Sequence, residues 1–336
     1  MPRYYAAAIQ TAMECPANRD AIPGRIARML SMADGARVGY EPFHDIRLFA
    51  FPEFAHAVPI KLTVPELLEH YAVEAGDIAP AYETFCRERG CFIQTGTFLE
   101  RDPKWPGHVF NTTLLVGPSG VLSRYRKVNP WIPWEVNTSP HDLLAQGYSE
   151  PLFPVVETEI GRLGCAICYD WLFPEPLREM AFAGAEVLIR VSAYMDPWGA
   201  TAPMDWWTLM NRARAVENTA FVLAANQGAK LSEYPPFSWP GASMVVDFDG
   251  RILAQADAGE GERVVVAPID IDALRAERAR RRGHDMLAHH RSSAYHYGTR
   301  EYIQPAVLPP TIASNDERIA AAKSALVAGH MSGGAR

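Results

Sequence analysis

Short apolar runs alternate along this chain with longer segments of helical periodicity. The apolar, β-rich runs predict strands over residues 4–9, 46–51, 92–99, 110–116, 163–167, 187–191, 220–225, 242–246 and 263–269. Apolar residues at helical spacing predict helices over residues 21–33, 71–89, 175–183 and 205–218. Alternation of this kind is typical of an α/β fold built in layers.

Turn sequences show that the sheets are mixed. The segments Asn111-Thr-Thr113 with Gly117-Pro-Ser-Gly120, and Val246-Asp-Phe-Asp-Gly-Arg251, are hairpin signals and therefore predict antiparallel neighbours. No Pro/Gly/Ser-rich linker divides the chain, so we expect one large domain over residues 1–275. The charged run 275–282 and the Ala- and Gly-rich end predict a C-terminal extension over residues 276–336.

Composition narrows the class of protein. The 336 residues are 48% hydrophobic, enough for a large core, and the net charge of −7 has interspersed signs without a basic stripe, which excludes a nucleic-acid partner. No window approaches the roughly 18 apolar residues of a membrane span, and the N-terminus lacks a signal-peptide core. The five cysteines are odd in number and scattered. We therefore expect a cytoplasmic protein with reduced thiols.

Three predicted strands end in residues that carry chemistry. Glu53 follows the apolar run 46–51, Lys127 closes a hairpin strand, and Cys168 leaves the run 163–167 for a polar turn. A free thiol has a pKa of about 8.5, which a neighbouring cation lowers. Lys127 is the candidate for that cation, and Glu53 for the group that takes the thiol proton and returns it to a leaving amine.

Each of these residues also has a structural interpretation. Most free cysteines are small buried hydrophobes, and Cys165 with Cys168 forms a Cys-x-x-Cys that invites a redox or zinc role. That role requires a helix start or a second cysteine pair, and the sequence has neither, so we assign Cys165 to packing. Alone, Glu53 would be a structural ion-pair partner and Lys127 a solvated lysine.

The ordered motifs Pro52-Glu53, Tyr125-Arg-Lys127 and Ile167-Cys-Tyr-Asp-x-x-Phe-Pro-Glu175 together resemble the nitrilase, or carbon–nitrogen hydrolase, superfamily over roughly residues 4–275. The segment Lys127-Val-Asn-Pro-Trp-Ile-Pro-Trp-Glu135 is similar to aliphatic amidases and formamidases. The resemblance implies a four-layer αββα sandwich, and a C-terminal extension that packs on a neighbouring subunit of a homodimer or larger homo-oligomer.

The resemblance also implies roles for the site residues. Cys168 is the nucleophile, Glu53 the general base and acid, and Lys127 with the main-chain N–H of Tyr169 the oxyanion donors. Glu135 is a second acidic residue that orients the substrate nitrogen or the hydrolytic water. Asp170 and Glu175 are interpreted as structural. No cofactor is expected.

Aromatic residues crowd the loops beside these groups and predict the wall of a small-molecule pocket. These aromatic residues are Phe54, Trp131, Trp134, Tyr169, Trp171, Tyr194 and Trp198. Among these we predict substrate contacts from Trp131, Tyr194, Phe54 and Trp171. The histidines His284, His289, His290 and His296 lie in a polar tail without other ligands at metal spacing, so no metal site is expected.

The predicted reaction is hydrolysis of a small neutral amide through a thioester. Cys168-Tyr169-Asp170 replaces the Cys-Trp-Glu that is usual in nitrilases, which favours amide over nitrile chemistry. An N-carbamoyl hydrolase is the main alternative, but Trp171-Leu172 stands where such enzymes carry arginine, leaving Arg190 or Arg212 to bind a substrate carboxylate. An inactive scaffold is the other alternative. Residues 136–147 depart from the usual amidase sequence, which leaves substrate size open.

Overall fold

The computed structural model describes residues 3–57, 62–132, 134–195, 199–229, 239–259, 261–295 and 303–332. Within these ranges the strands are β1 (Arg3–Gln10), β2 (Ile46–Ala50), β3 (Phe92–Glu100), β4 (Phe110–Gly117), β5 (Gly120–Arg126), β6 (Val155–Thr158), β7 (Gly161–Ile167), β8 (Val187–Ser192), β9 (Phe221–Asn226), β10 (Met244–Val246), β11 (Ile252–Gln255) and β12 (Arg263–Asp270). The helices are α1 (Ile22–Tyr40), α2 (Val64–His70), α3 (Ala75–Arg89), α4 (Pro174–Phe182), α5 (Trp206–Asn218), α6 (Ile271–Arg280) and α7 (Ile312–Ser332).

The strands form two six-stranded mixed sheets of matching design. The first has the order β12-β1-β2-β3-β4-β5 and the second the order β11-β10-β9-β8-β7-β6. In each sheet three neighbouring strands are parallel, β1 to β3 and β7 to β9, and antiparallel strands flank them. The β4–β5 hairpin follows the predicted Gly-Pro-Ser-Gly turn.

Side-chain alternation along β1 shows how the layers stack. Ala6 and Ala8 belong to the core that also contains the strands of the second sheet, whereas Ala7 and Ile9 pack with α1 and α3 on the opposite face. Helices α4 and α5 cover the outer face of the second sheet, contributing Leu177 among others to the core. The order of layers is helix, sheet, sheet, helix, so the predicted αββα sandwich is confirmed.

The predicted strands are found within two residues at both ends, but two helix predictions differ from the structure. Helix α1 continues to Tyr40, past the predicted end at residue 33. The segment predicted as one helix over 71–89 starts instead at Ala75, because Glu74 and Asp77 form a reciprocal cap and Val73 pairs with β3. The short edge strands β6 and β11 and the helices α2 and α6 carried too little periodicity to be predicted.

The C-terminal region begins inside a helix, since α6 spans the predicted boundary after residue 275. Helix α7 presents the buried Asn315 and Ala322 to the body of its own chain. The side-chain amide of Asn315 donates to the main-chain carbonyl of Glu135 at 3.0 Å. Packing of the extension on a neighbouring subunit stays a prediction. None of the helices in the described ranges has the length and apolar character needed to cross a bilayer.

Candidate active site

Strand direction brings the predicted residues together. Strands β2 and β3 are parallel, and β5 runs the same way because two antiparallel steps separate it from β3. Glu53, after β2, and Lys127, directly after β5, therefore emerge at one edge of the first sheet. Cys168 follows β7 in the second sheet and lines the same cavity as Glu53. Glu53 is 1% exposed, Lys127 0% and Cys168 8%.

Lys127 is bound on two sides by carboxylates. Its Nζ lies 2.8 Å from Glu53 Oε1 and 2.8 Å from both carboxylate oxygens of Glu135. Burial by itself lowers the pKa of Lys127, but Glu135, Glu53 and Cys168 outweigh it, and the pKa is raised above its ordinary value. The lysine is therefore a permanent cation.

Three donors orient Glu53. Oε1 accepts from Lys127 and, at 2.9 Å, from the side-chain amide of Asn111, while Oε2 accepts from the main-chain N–H of Ala193 at 3.0 Å. The donors come from both sheets, because Asn111 lies on β4 and Ala193 follows β8. The carboxylate thus bridges the two halves of the sandwich beside the nucleophile.

Glu135 is held by its own loop as well as by Lys127. Its Oε2 accepts from the main-chain N–H of Trp131 at 2.6 Å. Burial raises the pKa of Glu135, opposed by Lys127 and reinforced by Glu53. Glu135 also lines the cavity. The Glu135 side chain therefore contacts Lys127 and also borders the space where a substrate would lie.

Cys168, which the sequence predicts to be the nucleophile, lies on a strained turn. Cys168 has φ +45°, in the left-handed region that costs a non-glycine residue about 1–3 kcal/mol. Asp170 stabilises this turn: Oδ2 accepts from the Ile167 N–H at 3.0 Å and the Tyr125 hydroxyl at 2.7 Å, and Oδ1 accepts from the Asn129 main chain at 2.8 Å. These contacts agree with the structural interpretation of Asp170.

The protonation state of Cys168 differs from the expected one. Burial raises the pKa of the thiol, Glu53 raises it further, and the opposing effects of Lys127, Ser192 and Arg190 leave it at about 12. The sequence predicted that Lys127 would lower this pKa. The cation does act in that direction, but loss of hydration outweighs it, so the raised pKa keeps the Cys168 side chain a neutral thiol.

Arg190 lies buried in the core near the nucleophile. It donates to Asn211 Oδ1 at 2.9 Å, and its guanidinium lies 4.3 Å from the ring centre of Trp207. Within the described part of the chain its Nε and Nη2 have no hydrogen-bond partner. Burial lowers the pKa of Arg190 to about 10, an effect that Cys168 and Tyr194 oppose. Arg190 does not line the cavity, and Arg212 donates to the Gly250 carbonyl, so neither meets the prediction of a substrate-carboxylate site.

The cavity beside Cys168 has a volume of about 440 Å³. The predicted substrate contacts Phe54, Trp131 and Tyr194 line it, as does Tyr169. Trp171 does not: it is fully buried, and its indole N–H donates to the Ala166 carbonyl at 3.0 Å. The prediction of a substrate contact by Trp171 is thus corrected to a packing role, because the 3₁₀ turn after Cys168 directs the ring into the core. Trp198 lies outside the described residues.

Several site residues escaped sequence reasoning. Asn111, which binds Glu53, was interpreted only as part of a hairpin signal, and the Ala193 N–H is a main-chain group without a side-chain signature. Apolar wall residues from distant segments, among them Leu67, Leu99 and Trp239, were not predicted. Cys165 is buried, in agreement with packing. In the described ranges no group of three or more His, Cys, Asp or Glu is placed to hold a metal ion, and His296 lies outside those ranges.

Residues 5–279 match the family model described as carbon-nitrogen hydrolase. A formamidase of Bradyrhizobium sp. (strain ORS 278) is 32% identical over 69% of this chain and 62% of the formamidase. A deaminated glutathione amidase of Rattus norvegicus is 35% identical over 60% of this chain and 61% of the amidase. The chain therefore spans about three fifths of the length of these two relatives.

A solved structure shares the fold. The carbon-nitrogen hydrolase from Helicobacter pylori G27 is 20% identical and superposes with a TM-score of 0.70 over 89% of this chain and 99% of that chain. At this identity the likeness concerns the αββα architecture.

Proposed function

The chain belongs to the carbon–nitrogen hydrolase family, and we propose that it is an amidohydrolase that cleaves the C–N bond of a small neutral amide through a thioester on Cys168. The observation that carries the proposal is the buried group of Glu53, Lys127 and Glu135 beside a cavity that Cys168 also lines. The related formamidase and deaminated glutathione amidase support amide chemistry, and their different substrates leave the acyl group open.

The reaction begins with a neutral thiol, so deprotonation accompanies attack. Glu53 takes the Cys168 proton as Sγ bonds to the substrate carbonyl carbon. Lys127 and the main-chain N–H of Tyr169 stabilise the negative charge that develops on the carbonyl oxygen. Collapse of the tetrahedral intermediate breaks the C–N bond, and Glu53 delivers the proton to the departing nitrogen. The products of this half are ammonia and the thioester.

Hydrolysis of the thioester repeats the proton transfers with water. Glu53 takes a proton from the attacking water, and the second tetrahedral intermediate expels the Cys168 thiolate, which recovers that proton. Glu135 holds Lys127 in place through both phases and orients the substrate nitrogen or the water. Glu53 thus takes up and returns one proton in each half of the reaction.

An N-carbamoyl hydrolase is less well supported. Its carboxylate-bearing substrates need a buried cation, since desolvating an unpaired carboxylate is costly. Among the described residues that line the cavity there is no Lys, Arg or His, and the charge of the neighbouring Lys127 is already paired with Glu53 and Glu135. The cavity presents Glu53 and Glu135 instead, which disfavour an anionic substrate.

Ammonia release from a panel of primary amides, ureido acids and nitriles tests the proposal. Wild type and Cys165→Ala should release ammonia from neutral amides, whereas Cys168→Ala should be inactive. Mass spectrometry of a quenched reaction should find the acyl group on the peptide that contains Cys168. An active Cys168→Ala protein, or ureido acids preferred over amides of equal size, would overturn it. Light scattering tests the proposed homo-oligomer.

A further inference from the structure

The cavity is much larger than the smallest amides need. Taking about 30 Å³ for each non-hydrogen atom, the share of one water in the liquid, formamide fills roughly 90 Å³ and acetamide roughly 120 Å³. The cavity holds about 440 Å³. Most of the space next to Cys168 would therefore stay empty or hydrated with either substrate bound.

Most of the described side chains around this space are apolar, and Asn137 adds one amide. One apolar group comprises Leu67, Leu99 and Val136, which are 3–4% exposed and belong to a single packed cluster. A second group comprises Met195 and Trp239, which belong to another cluster. Their burial within packed clusters means that the space is preformed.

Among the described residues that line the cavity, the charged ones are Glu53 and Glu135, and both are paired with Lys127. The amide group would react beside them, and the remaining described lining is mostly apolar. Met204 and Trp206, 56% and 43% exposed, add apolar surface to the cavity's lining. The described lining thus combines two carboxylates next to Cys168 with a larger number of apolar side chains.

We propose that the substrate is a primary amide with a bulky apolar acyl group, of about the size of a hexanoyl or phenylacetyl group, and that formamide and acetamide are poor substrates. This inference rests on the proposed amidohydrolase function. Burial of each additional CH₂ against the apolar walls strengthens binding about three- to fourfold, whereas a charged group in the same place loses its hydration without a partner.

Ammonia release from formamide, acetamide, butyramide, hexanamide and phenylacetamide tests the inference, with adipamic acid as the charged control. From acetamide to hexanamide, which differ by four CH₂ groups, kcat/KM should rise on the order of a hundredfold. Adipamic acid, of similar length to hexanamide, should be a poor substrate. A flat or falling series with active acetamide would overturn the inference. If no amide released ammonia, the proposed function itself would fail.

A wall substitution separates acyl recognition from chemistry. Leu67→Trp, on the cavity side of α2, should lower kcat/KM for hexanamide at least tenfold and change that for acetamide little. Leu68→Trp, one residue along and outside the lining, is the matched control. An unchanged ratio of the two substrates in Leu67→Trp would contradict the proposal. As a second measurement, calorimetry on Cys168→Ala should find tighter binding of hexanamide than of acetamide, and equal affinities would also contradict it.

Discussion

Two adjacent residues at the end of β5, Arg126 and Lys127, belong to different buried ion clusters. Arg126 pairs with Glu100 at 2.8 and 2.9 Å and with Asp102 at 2.6 Å, and its guanidinium lies 4.0 Å from the ring centre of Phe110. Lys127, the next residue, pairs with two glutamates on the opposite side of the strand. Both cationic side chains are 0% exposed.

The Arg126 cluster and the Lys127 cluster differ in whether their carboxylates line the cavity. Glu100 accepts from Arg126 with both oxygens and also binds Arg124 and Thr112, and it does not line the cavity. Glu53 and Glu135 keep one side toward the cavity that Cys168 lines. Arginine's planar fork suits the first arrangement, and lysine's single ammonium suits the second. Burial of a charge therefore does not by itself indicate a catalytic role, and we propose that role for the cluster that shares the cavity with Cys168.

The comparison predicts its largest effect on turnover at Lys127. Lys127→Met removes the proposed oxyanion donor and should lower kcat by about a hundred- to a thousandfold. The circular dichroism spectrum should stay that of wild type. A single-turnover assay that follows thioester formation measures the effect on the first half of the reaction. Near-normal turnover would show that both clusters are structural.

The same replacement one residue earlier should act on stability without the loss of turnover, whereas Lys127→Met, which also leaves buried carboxylates unpaired, should lower both turnover and stability. Arg126→Met leaves Glu100 with Arg124 as its remaining cation and should lower the free energy of unfolding by about 3 kcal/mol, measured by urea denaturation. The kcat per folded molecule should stay within a few fold of wild type. If Arg126→Met does not fold, kcat is measured instead on the double variant Arg126→Met/Glu100→Gln. This variant also removes the carboxylate charge that Arg126 had paired. A hundredfold loss of kcat in either folded variant would contradict the distinction.

The thiol provides a pH test of the catalytic cluster. The pKa of Cys168 is raised in the folded chain from an ordinary 9.0 to about 12, chiefly by burial. Between these values the unfolded chain releases a proton that the folded chain keeps, so stability should fall as pH rises, by up to about 1.4 kcal/mol per pH unit. Cys168→Ala should lack this contribution. A difference in unfolding free energy between the two proteins that did not change with pH would show that the thiol is not held neutral.

The sequence singled out three residues that the structure brings to one site, because each follows a strand with a clear apolar pattern. Glu53, Lys127 and Cys168 are of this kind, and the spacing from Lys127 indicated Glu135. Asn111 was not predictable, since it meets Glu53 only through the strand order that places β4 two strands from β2. The Ala193 N–H meets Glu53 only when the second sheet faces the first. The raised thiol pKa was missed for a related reason. It is a balance between hydration loss and Lys127 that depends on depth of burial rather than on residue order.

The smallest predicted effect lies in the C-terminal region, where α7 contacts the main chain of Glu135. Asn315 donates to the Glu135 carbonyl at 3.0 Å, and Glu135 in turn holds Lys127. Asn315→Ala removes this donor, and since one neutral hydrogen bond contributes about 0.5–1.5 kcal/mol, kcat should fall about two- to tenfold with little change in KM. Lys323→Ala, an exposed position on the same helix, is the control and should match wild type. An Asn315→Ala protein with unchanged kcat would show that the contact only anchors the helix. A rise in KM instead of a fall in kcat would mean that α7 shapes the substrate pocket and leaves the positioning of Lys127 unaffected.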